Sequence, residues 1–168
     1  MITVQLGQTT VPTIGVGTWN IGEEPAKHAE EVKAIQTAID AGATVIDTAE
    51  MYGQGRSEKL TSEAIKPFDR SKLYLIDKVL PQNASHQRLE KSLDRSLKLM
   101  QTDYFDLYLL HWRGGIPLAE TVDELVKMQT KGKLVIKIAM IRRNIPMTAV
   151  MPCTFFMSFP FLLLFFIL

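Results

Sequence analysis

The chain has 168 residues, of which 46% are hydrophobic and 22% charged, and its formal net charge is +1. A chain of this length can bury a sizeable core, and its near-neutral charge argues against a nucleic-acid-binding protein, which normally carries a basic surface. The single cysteine, Cys153, excludes an internal disulfide framework. Residues 1–6 lack the basic and apolar regions of a signal peptide, so the sequence predicts a cytoplasmic protein.

The composition changes sharply along the chain. All charged residues lie within positions 1–143, and the last 25 residues carry none. Six of the eight phenylalanines lie between Phe155 and Phe166. We therefore predict a folded part over residues 1–133 and a divergent, apolar tail over residues 134–168.

The first part alternates short apolar runs with segments of helical spacing. Residues 3–11 alternate around Gly7, which predicts a hairpin, and apolar runs typical of buried strands follow at 44–46, 73–76 and 105–110. Between the runs, apolar or uncharged residues recur at the spacing of one helix face: Val32, Ile35 and Ile39; Leu89, Leu93, Leu97 and Met100; Val122, Leu125, Val126 and Gln129. This alternation predicts successive βα units and a parallel sheet.

Two parallel architectures are compatible with this pattern, an open doubly wound sheet and a closed (β/α)8 barrel. An open sheet that binds a dinucleotide has a glycine-rich turn directly after its first strand. The nearest candidate, Gly15-Val16-Gly17, lacks the third glycine and a helix that starts close behind it. The barrel is favoured by the polar residues at the strand ends.

Three consecutive predicted strands end in an ionisable side chain. These side chains are Asp47, Lys78 and His111, and 31 and 33 residues separate them. The C-terminal ends of barrel strands share one rim, and that rim carries the active site. A carboxylate, an ammonium and an imidazole are therefore predicted to converge there, and Tyr52 adds a phenol from the loop after Asp47.

This combination of groups suits proton delivery to an oxygen atom. A phenol has an ordinary pKa near 10, and a neighbouring ammonium lowers it by favouring the phenolate. A carboxylate holds the ammonium charged, and an imidazole can orient a carbonyl oxygen by hydrogen bonding. Such a site would protonate an oxygen that becomes an alkoxide, as carbonyl reduction requires. The sequence offers no activated serine or cysteine for this site and no plausible metal cluster.

Four segments of the chain together resemble the aldo-keto reductases. They are Ile46–Gly53 with Glu58 after it, Ile14–Trp19, Asp77–Val79 and Asp103–Trp112. The resemblance runs from about Leu6 to Lys133. Within this range the local amino-acid sequence is most similar to that of bacterial members that reduce small aldehydes such as methylglyoxal. It implies a (β/α)8 barrel, of which this chain would form the first four to five βα units behind a hairpin.

The resemblance also implies catalytic roles for the strand-end residues. Tyr52 would be the general acid that protonates the carbonyl oxygen of a small aldehyde or ketone. Lys78, paired with Asp47, would depress the pKa of that phenol, and His111 would orient the substrate carbonyl.

Cofactor and substrate contacts follow from the same resemblance. Gly17, Thr18 and Asp47 would lie near the nicotinamide end of NADPH, which supplies the hydride. Trp19 and Trp112 would wall the substrate pocket, although ordinary packing at the rim also accounts for both.

The chain departs from the family at two places. Asp77 stands where many relatives carry a small hydroxyl residue. After the turn at 131–133 there is no Gly-Val-Ser-Asn-like stretch to bind the nicotinamide carboxamide, and the later basic segment for the adenosine phosphate is missing. A non-catalytic remnant that lacks the cofactor-binding half is therefore an alternative to the reductase.

The origin of the tail is left open among three interpretations. Residues 148–168 carry no charge, and the loss of both charge and family pattern after about Lys133 is what truncation or a reading-frame change would produce. A membrane-associated tail is possible by its length and by the flanking Arg142-Arg143 but is not favoured, because two prolines interrupt it. An unusual buried segment is the third interpretation.

A different chemistry also uses a strand-end lysine. In a Schiff-base barrel enzyme, Lys78 would act as the nucleophile, which requires an uncharged amine. The neighbouring Asp47 and Tyr52 favour a charged lysine instead, so this alternative ranks below the reductase.

Overall fold

The structure of the chain, a computed structural model, describes residues 2–135. The predictions made for the apolar tail, including its possible contact with a membrane, lie almost wholly outside the described residues. Among residues 2–135, no helix combines the length and hydrophobicity that a membrane crossing requires.

The described residues form six strands and four α-helices. In chain order these are β1 (Thr3–Leu6), β2 (Thr9–Pro12), β3 (Gly15–Gly17), α1 (His28–Asp40), β4 (Val45–Asp47), α2 (Arg56–Ile65), β5 (Tyr74–Val79), α3 (Leu89–Met100), β6 (Leu107–Leu110) and α4 (Leu118–Thr130). The predicted hairpin, strands and three helices are all present. Helix α2 is an addition that apolar spacing alone did not indicate.

The strands form two sheets with different roles. β1 and β2 pair antiparallel as the predicted hairpin, and β3, β4, β5 and β6 form a parallel sheet in that order. One helix follows each parallel strand. Beside β6, Leu134 pairs in parallel with Phe105, so the next parallel segment begins at that edge. This is the succession of βα units that the sequence predicts for a partial barrel.

Side chains alternate between the two faces of the parallel sheet, and each face has its own apolar cluster. On one face Val45, Tyr74 and Ile76 pack with Val11 of the hairpin. The opposite face packs against the helices through a larger cluster that includes Ile46 and Leu75 of the strands and Ile35, Leu60, Leu93 and Met128 of the helices. The hairpin-side face is the one that leads to the candidate site.

The helix-side cluster supplies most of the buried apolar surface. Leu93 of α3 is fully buried in it, so we expect Leu93→Ala to lower the free energy of unfolding by about 2–5 kcal/mol. Urea denaturation measures the change. Lys91→Ala, on the exposed side of the same helix, is the control and should change stability by less than about 0.5 kcal/mol.

Candidate active site

The alternation along the strands places three ionisable side chains on one face at one end of the sheet. Asp47 shares the face of Val45, and Lys78 shares that of Ile76, because each pair is two residues apart on its strand. His111 directly follows β6, and its main-chain N–H donates to the carbonyl of Val79 at 2.9 Å. The predicted convergence of these strand ends is therefore present.

The ammonium of Lys78 is the centre of the site. Its Nζ lies 2.7 Å from Oδ1 of Asp47, 2.9 Å from the carbonyl oxygen of Thr48 and 3.3 Å from the phenolic oxygen of Tyr52. An ammonium has three donors, and these three oxygens match that number. The side chains of Lys78 and Asp47 are each only 14% exposed, so solvent screens their interaction weakly.

A left-handed turn after Tyr52 holds the phenol at the rim. Gly53, Gln54 and Gly55 follow with φ angles of 54°, 58° and 94°, a region that glycine enters without strain. A Cβ on Gly55 would also lie 2.8 Å from Cδ1 of Leu99. The glycines that follow Tyr52 in the sequence are thus needed for the turn that starts α2 and leaves Tyr52 buried beside Lys78.

The electrostatics of the pair favour a charged lysine. Burial disfavours the Lys78 ammonium, but the carboxylate of Asp47 and the oxygen of Tyr52 outweigh it and raise the pKa of Lys78 above its usual value. Burial raises the pKa of Asp47, and the ammonium opposes that effect. A protonated lysine beside a phenol lowers the free energy of the phenolate.

His111 is held neutral beside the phenol. The rings of His111 and Tyr52 meet edge to face with centroids 5.7 Å apart. Burial, followed by the charge of Lys78, lowers the pKa of His111 to about 4 against the opposing effect of Glu50. Its Nδ1 is buried and has no hydrogen-bond partner among residues 2–135. At neutral pH the imidazole therefore carries one N–H donor and no charge.

The predicted cofactor residues lie next to the charged pair. Gly17 of β3 is in register with Asp47 of β4 and is partly exposed. Thr18 is fully buried, and its hydroxyl donates to the carbonyl of Asp47 at 3.1 Å and accepts from Ser57 at 2.8 Å. Its side chain therefore stabilises the junction of β3, β4 and α2.

The two predicted substrate residues lie at the surface of the rim. Trp112 packs edge-on against His111 with ring centroids 4.7 Å apart and is 47% exposed, and Trp19 is 49% exposed. Large exposed aromatic side chains are available to contact a ligand. Their part in a substrate pocket stays a prediction.

Sequence reasoning missed a group of buried acidic residues behind the site. Glu50, Glu58 and Asp77 are 4%, 0% and 0% exposed. Glu50 and Glu58 lie within or just after the Ile46–Gly53 motif, which was the available signal, but polar residues in a loop and a helix are normally exposed. Asp77 faces the helices because it alternates with Lys78 along β5.

The carboxyl of Asp77 is fully buried, and the charge of the equally buried Glu58 acts on it. Burial, followed by the charge of Glu58, raises the pKa of Asp77 well above its usual value. One oxygen of Asp77 accepts from the main-chain N–H of Lys78 at 2.8 Å, and the hydroxyl of Ser96 lies close enough to both carboxyls to oppose the rise in their pKa. Asp77 therefore adds a second carboxyl to a buried site.

This burial predicts a pH-dependent gain in stability from Asp77→Asn. The folded-state pKa of Asp77 is raised, so the native protein loses stability as the pH rises from about 4 through that pKa, by up to about 1.4 kcal/mol per pH unit. The variant keeps an oxygen for the Lys78 N–H but cannot ionise. Urea denaturation should show no gain below pH 4 and a clear gain at pH 8. Asp123→Asn, on the exposed side of α4, is the control, and an Asp77→Asn gain that is equal at both pH values would contradict the account.

As a whole, the rim joins an acid–base pair to a neutral hydrogen-bond donor. The phenol of Tyr52 can release a proton because Lys78 stabilises the phenolate, and Asp47 keeps Lys78 charged. His111 can donate to the oxygen of a bound carbonyl. This arrangement suits the protonation of an oxygen on which negative charge develops.

Comparison with known proteins places the chain in one family. Residues 13–136 match the model of the aldo/keto reductase family. Methylglyoxal reductase YeaE of Escherichia coli (strain K12) is 42% identical over 128 residues, which are 76% of this chain and 45% of that protein. Aldo-keto reductase YhdN of Bacillus subtilis (strain 168) is 37% identical over 134 residues, covering 72% of this chain and 40% of that protein.

The fold agrees with a solved member. An aldo/keto reductase from Klebsiella pneumoniae, crystallised in complex with NADP and acetate, superposes with a TM-score of 0.76 at 47% identity and covers 79% of this chain and 47% of that one. The chain thus spans less than half the length of these relatives, and its parallel sheet with helices is part of an α/β barrel. This chain belongs to the aldo/keto reductase family.

Proposed function

We propose that residues 2–135 carry the proton-transfer half of an NADPH-dependent carbonyl reductase that acts on small aldehydes such as methylglyoxal. The observation that carries the proposal is the unbroken contact from Asp47 through Lys78 to Tyr52, at 2.7 Å and 3.3 Å, with a neutral His111 beside the phenol. The relative named for methylglyoxal reduction, YeaE, and the solved relative with bound NADP support the substrate class and the cofactor.

Reduction of a carbonyl needs a hydride on carbon and a proton on oxygen. The nicotinamide of NADPH, when bound, supplies the hydride. His111 donates a hydrogen bond to the carbonyl oxygen and orients it. The O–H bond of Tyr52 breaks as its proton passes to that oxygen, giving an alcohol and a phenolate that Lys78 stabilises. Solvent then returns a proton to Tyr52.

The residues at the rim fit the reacting end of such a cofactor. Gly17 has no side chain to block the end of β3, and the neighbouring Asp47 is partly exposed, so these two would hold the nicotinamide end. Thr18 would contribute through the junction that its buried hydroxyl stabilises.

The Schiff-base alternative is disfavoured by the same contacts. A lysine nucleophile must be uncharged to attack a carbonyl. The Asp47 carboxylate at 2.7 Å and the raised pKa of Lys78 both hold the ammonium form. Treatment with borohydride and methylglyoxal is therefore expected to leave the mass of Lys78-containing peptides unchanged.

A turnover assay with a binding control tests the proposal. We expect the chain to bind NADPH saturably in a fluorescence titration and to oxidise it when methylglyoxal is added. Circular dichroism confirms that the sample is folded. A folded chain that binds NADPH but reduces no aldehyde would overturn the proposed chemistry, and one that shows no saturable binding would favour the non-catalytic remnant.

A further inference from the structure

Glu50, two residues before Tyr52, has a carboxylate that accepts three hydrogen bonds. Its Oε1 accepts from the main-chain N–H of Leu80 at 2.5 Å and from the side-chain amide of Asn83 at 3.0 Å. Its Oε2 accepts from the hydroxyl of Ser92 on α3. All three partners are donors, so they satisfy both oxygens of a carboxylate that is only 4% exposed.

These contacts continue the ladder between β4 and β5 beyond the end of β4. The N–H of Thr48 donates to the carbonyl of Ile76 at 2.9 Å, and the N–H of Glu50 donates to the carbonyl of Lys78 at 3.2 Å. In a regular parallel ladder the next bond would join the N–H of Leu80 to the main-chain carbonyl of Glu50. The chain turns away here toward the phenol, and the Glu50 carboxylate accepts from Leu80 instead.

We propose that Glu50 is a positioning residue that holds the phenol of Tyr52 beside the ammonium of Lys78. The main-chain N–H of Glu50 donates to the carbonyl of Lys78, and its carboxylate accepts from the N–H of Leu80, so Glu50 is bonded to β5 just before and just after Val79. Ser92 links the same carboxylate to α3. The loop that carries Tyr52 is thereby fixed to the strand that carries Lys78. The role rests on the proposed function, in which these two groups deliver the proton.

Loss of the Glu50 charge and loss of its hydrogen bonds are expected to change the pKa of Tyr52 in opposite directions, which makes the role testable. The charge of Glu50 acts on the site, since it raises the pKa of His111 against burial and Lys78. Removing a negative charge nearby favours the phenolate and lowers the pKa of Tyr52. Removing the tie separates the phenol from the ammonium and raises that pKa.

Three variants at position 50 separate the two effects. Glu50→Gln keeps an acceptor for Leu80 and Asn83 and a donor for Ser92 but loses the charge. Glu50→Ala loses the charge and all three side-chain hydrogen bonds. Glu50→Asp keeps the charge but is one methylene too short to reach Leu80. Titration of ¹³C-labelled tyrosine by NMR gives the pKa of Tyr52, because the chain has only four tyrosines and Tyr52→Phe assigns the signal.

We expect the pKa of Tyr52 to rise by about one unit or more in Glu50→Asp and to stay level or fall in Glu50→Gln. In Glu50→Ala we expect a smaller rise, because the lost charge opposes the effect of the lost tie. Leu93→Ala is the matched control, because it lowers the stability of the fold at a buried position of α3 without touching Glu50. It should leave the pKa of Tyr52 unchanged. If Glu50→Ala does not fold, Glu50→Asp decides alone. A pKa of Tyr52 that is unchanged or lowered in Glu50→Asp, which keeps the charge and loses only the tie, would overturn the positioning role.

Lys78→Met keeps this test separate from that of the proposed function. If Lys78→Met raises the pKa of Tyr52 and the shortened Glu50 variants do not, only the role of Glu50 fails. If Lys78→Met also leaves the pKa unchanged, the proton-delivery pair and the proposed function fail together.

Discussion

Replacing Tyr52 by phenylalanine is expected to lower the rate of NADPH-dependent methylglyoxal reduction by about 10²- to 10⁴-fold, the usual contribution of a positioned general acid. The variant loses only the oxygen that lies 3.3 Å from Nζ of Lys78. It keeps the ring that packs against His111. The loss should therefore appear in kcat, with little change in stability or in NADPH binding.

Tyr104→Phe is the matched control for this change. The guanidinium carbon of Arg70 lies over the ring of Tyr104, 4.0 Å from the ring centroid. Phenylalanine preserves that stacking. Its activity should equal that of the unmodified chain. Equal loss of activity in both variants would mean that the oxygen of Tyr52 has no specific role, and an unchanged kcat in Tyr52→Phe would exclude it as the acid.

Lys78→Met is expected to affect both stability and activity. It leaves Asp47 partly buried without its cation, and breaking a buried ion pair in this way destabilises a protein by about 3–5 kcal/mol. Because the pKa of Asp47 is raised by burial and the ammonium no longer opposes that effect, the loss grows as the pH rises from 4 to 7. Activity falls because the phenolate of Tyr52 loses its stabilising charge.

The double variant Asp47→Asn/Lys78→Met separates the two consequences. It removes both charges, so it should recover much of the lost free energy of unfolding in urea denaturation but none of the lost activity. A double variant that regains activity would show that Lys78 acts only through the stability of the fold. Lys78→Arg, which keeps the charge in a larger planar group, should retain more stability than Lys78→Met at neutral pH.

Much of the fold could be predicted because apolar periodicity and strand-end chemistry agree. The position of Asp47, Lys78 and His111 at the ends of three consecutive predicted strands was enough to predict a shared rim. The family and the barrel fold are confirmed by the comparisons. The catalytic and binding roles assigned to these residues stay predictions.

Helix α2 was not predicted from the sequence, and the reason is physical. Its buried face consists largely of small or polar residues, Ser57, Glu58, Thr61, Ser62 and Ala64 beside Leu60 and Ile65. Those residues bury well where a helix packs closely against neighbouring helices, as α2 does against α1 and α3, but they do not produce an apolar repeat. A pattern based on hydrophobicity therefore has little signal in this segment.

The buried acids were missed for a related reason. Whether a carboxylate is exposed or buried depends on which donors the folded chain brings to it, and those of Glu50 come from positions 80, 83 and 92. Such long-range partners cannot be read from local spacing. The sequence signalled Asp77 only as a departure from the family, whereas its burial against Glu58 depends on how β5 packs on the helices.

We propose that this rim takes part in carbonyl reduction by hydride and proton transfer, and the isotopic content of the product tests that proposal most directly. Methylglyoxal is incubated with the folded chain and NADPH deuterated at both C4 positions, and the alcohol is analysed by mass spectrometry. The account predicts one carbon-bound deuterium per product molecule, and product only at background level with Tyr52→Phe. A folded chain that forms no deuterated alcohol, or a Tyr52→Phe variant that forms it at the same rate, would contradict the account.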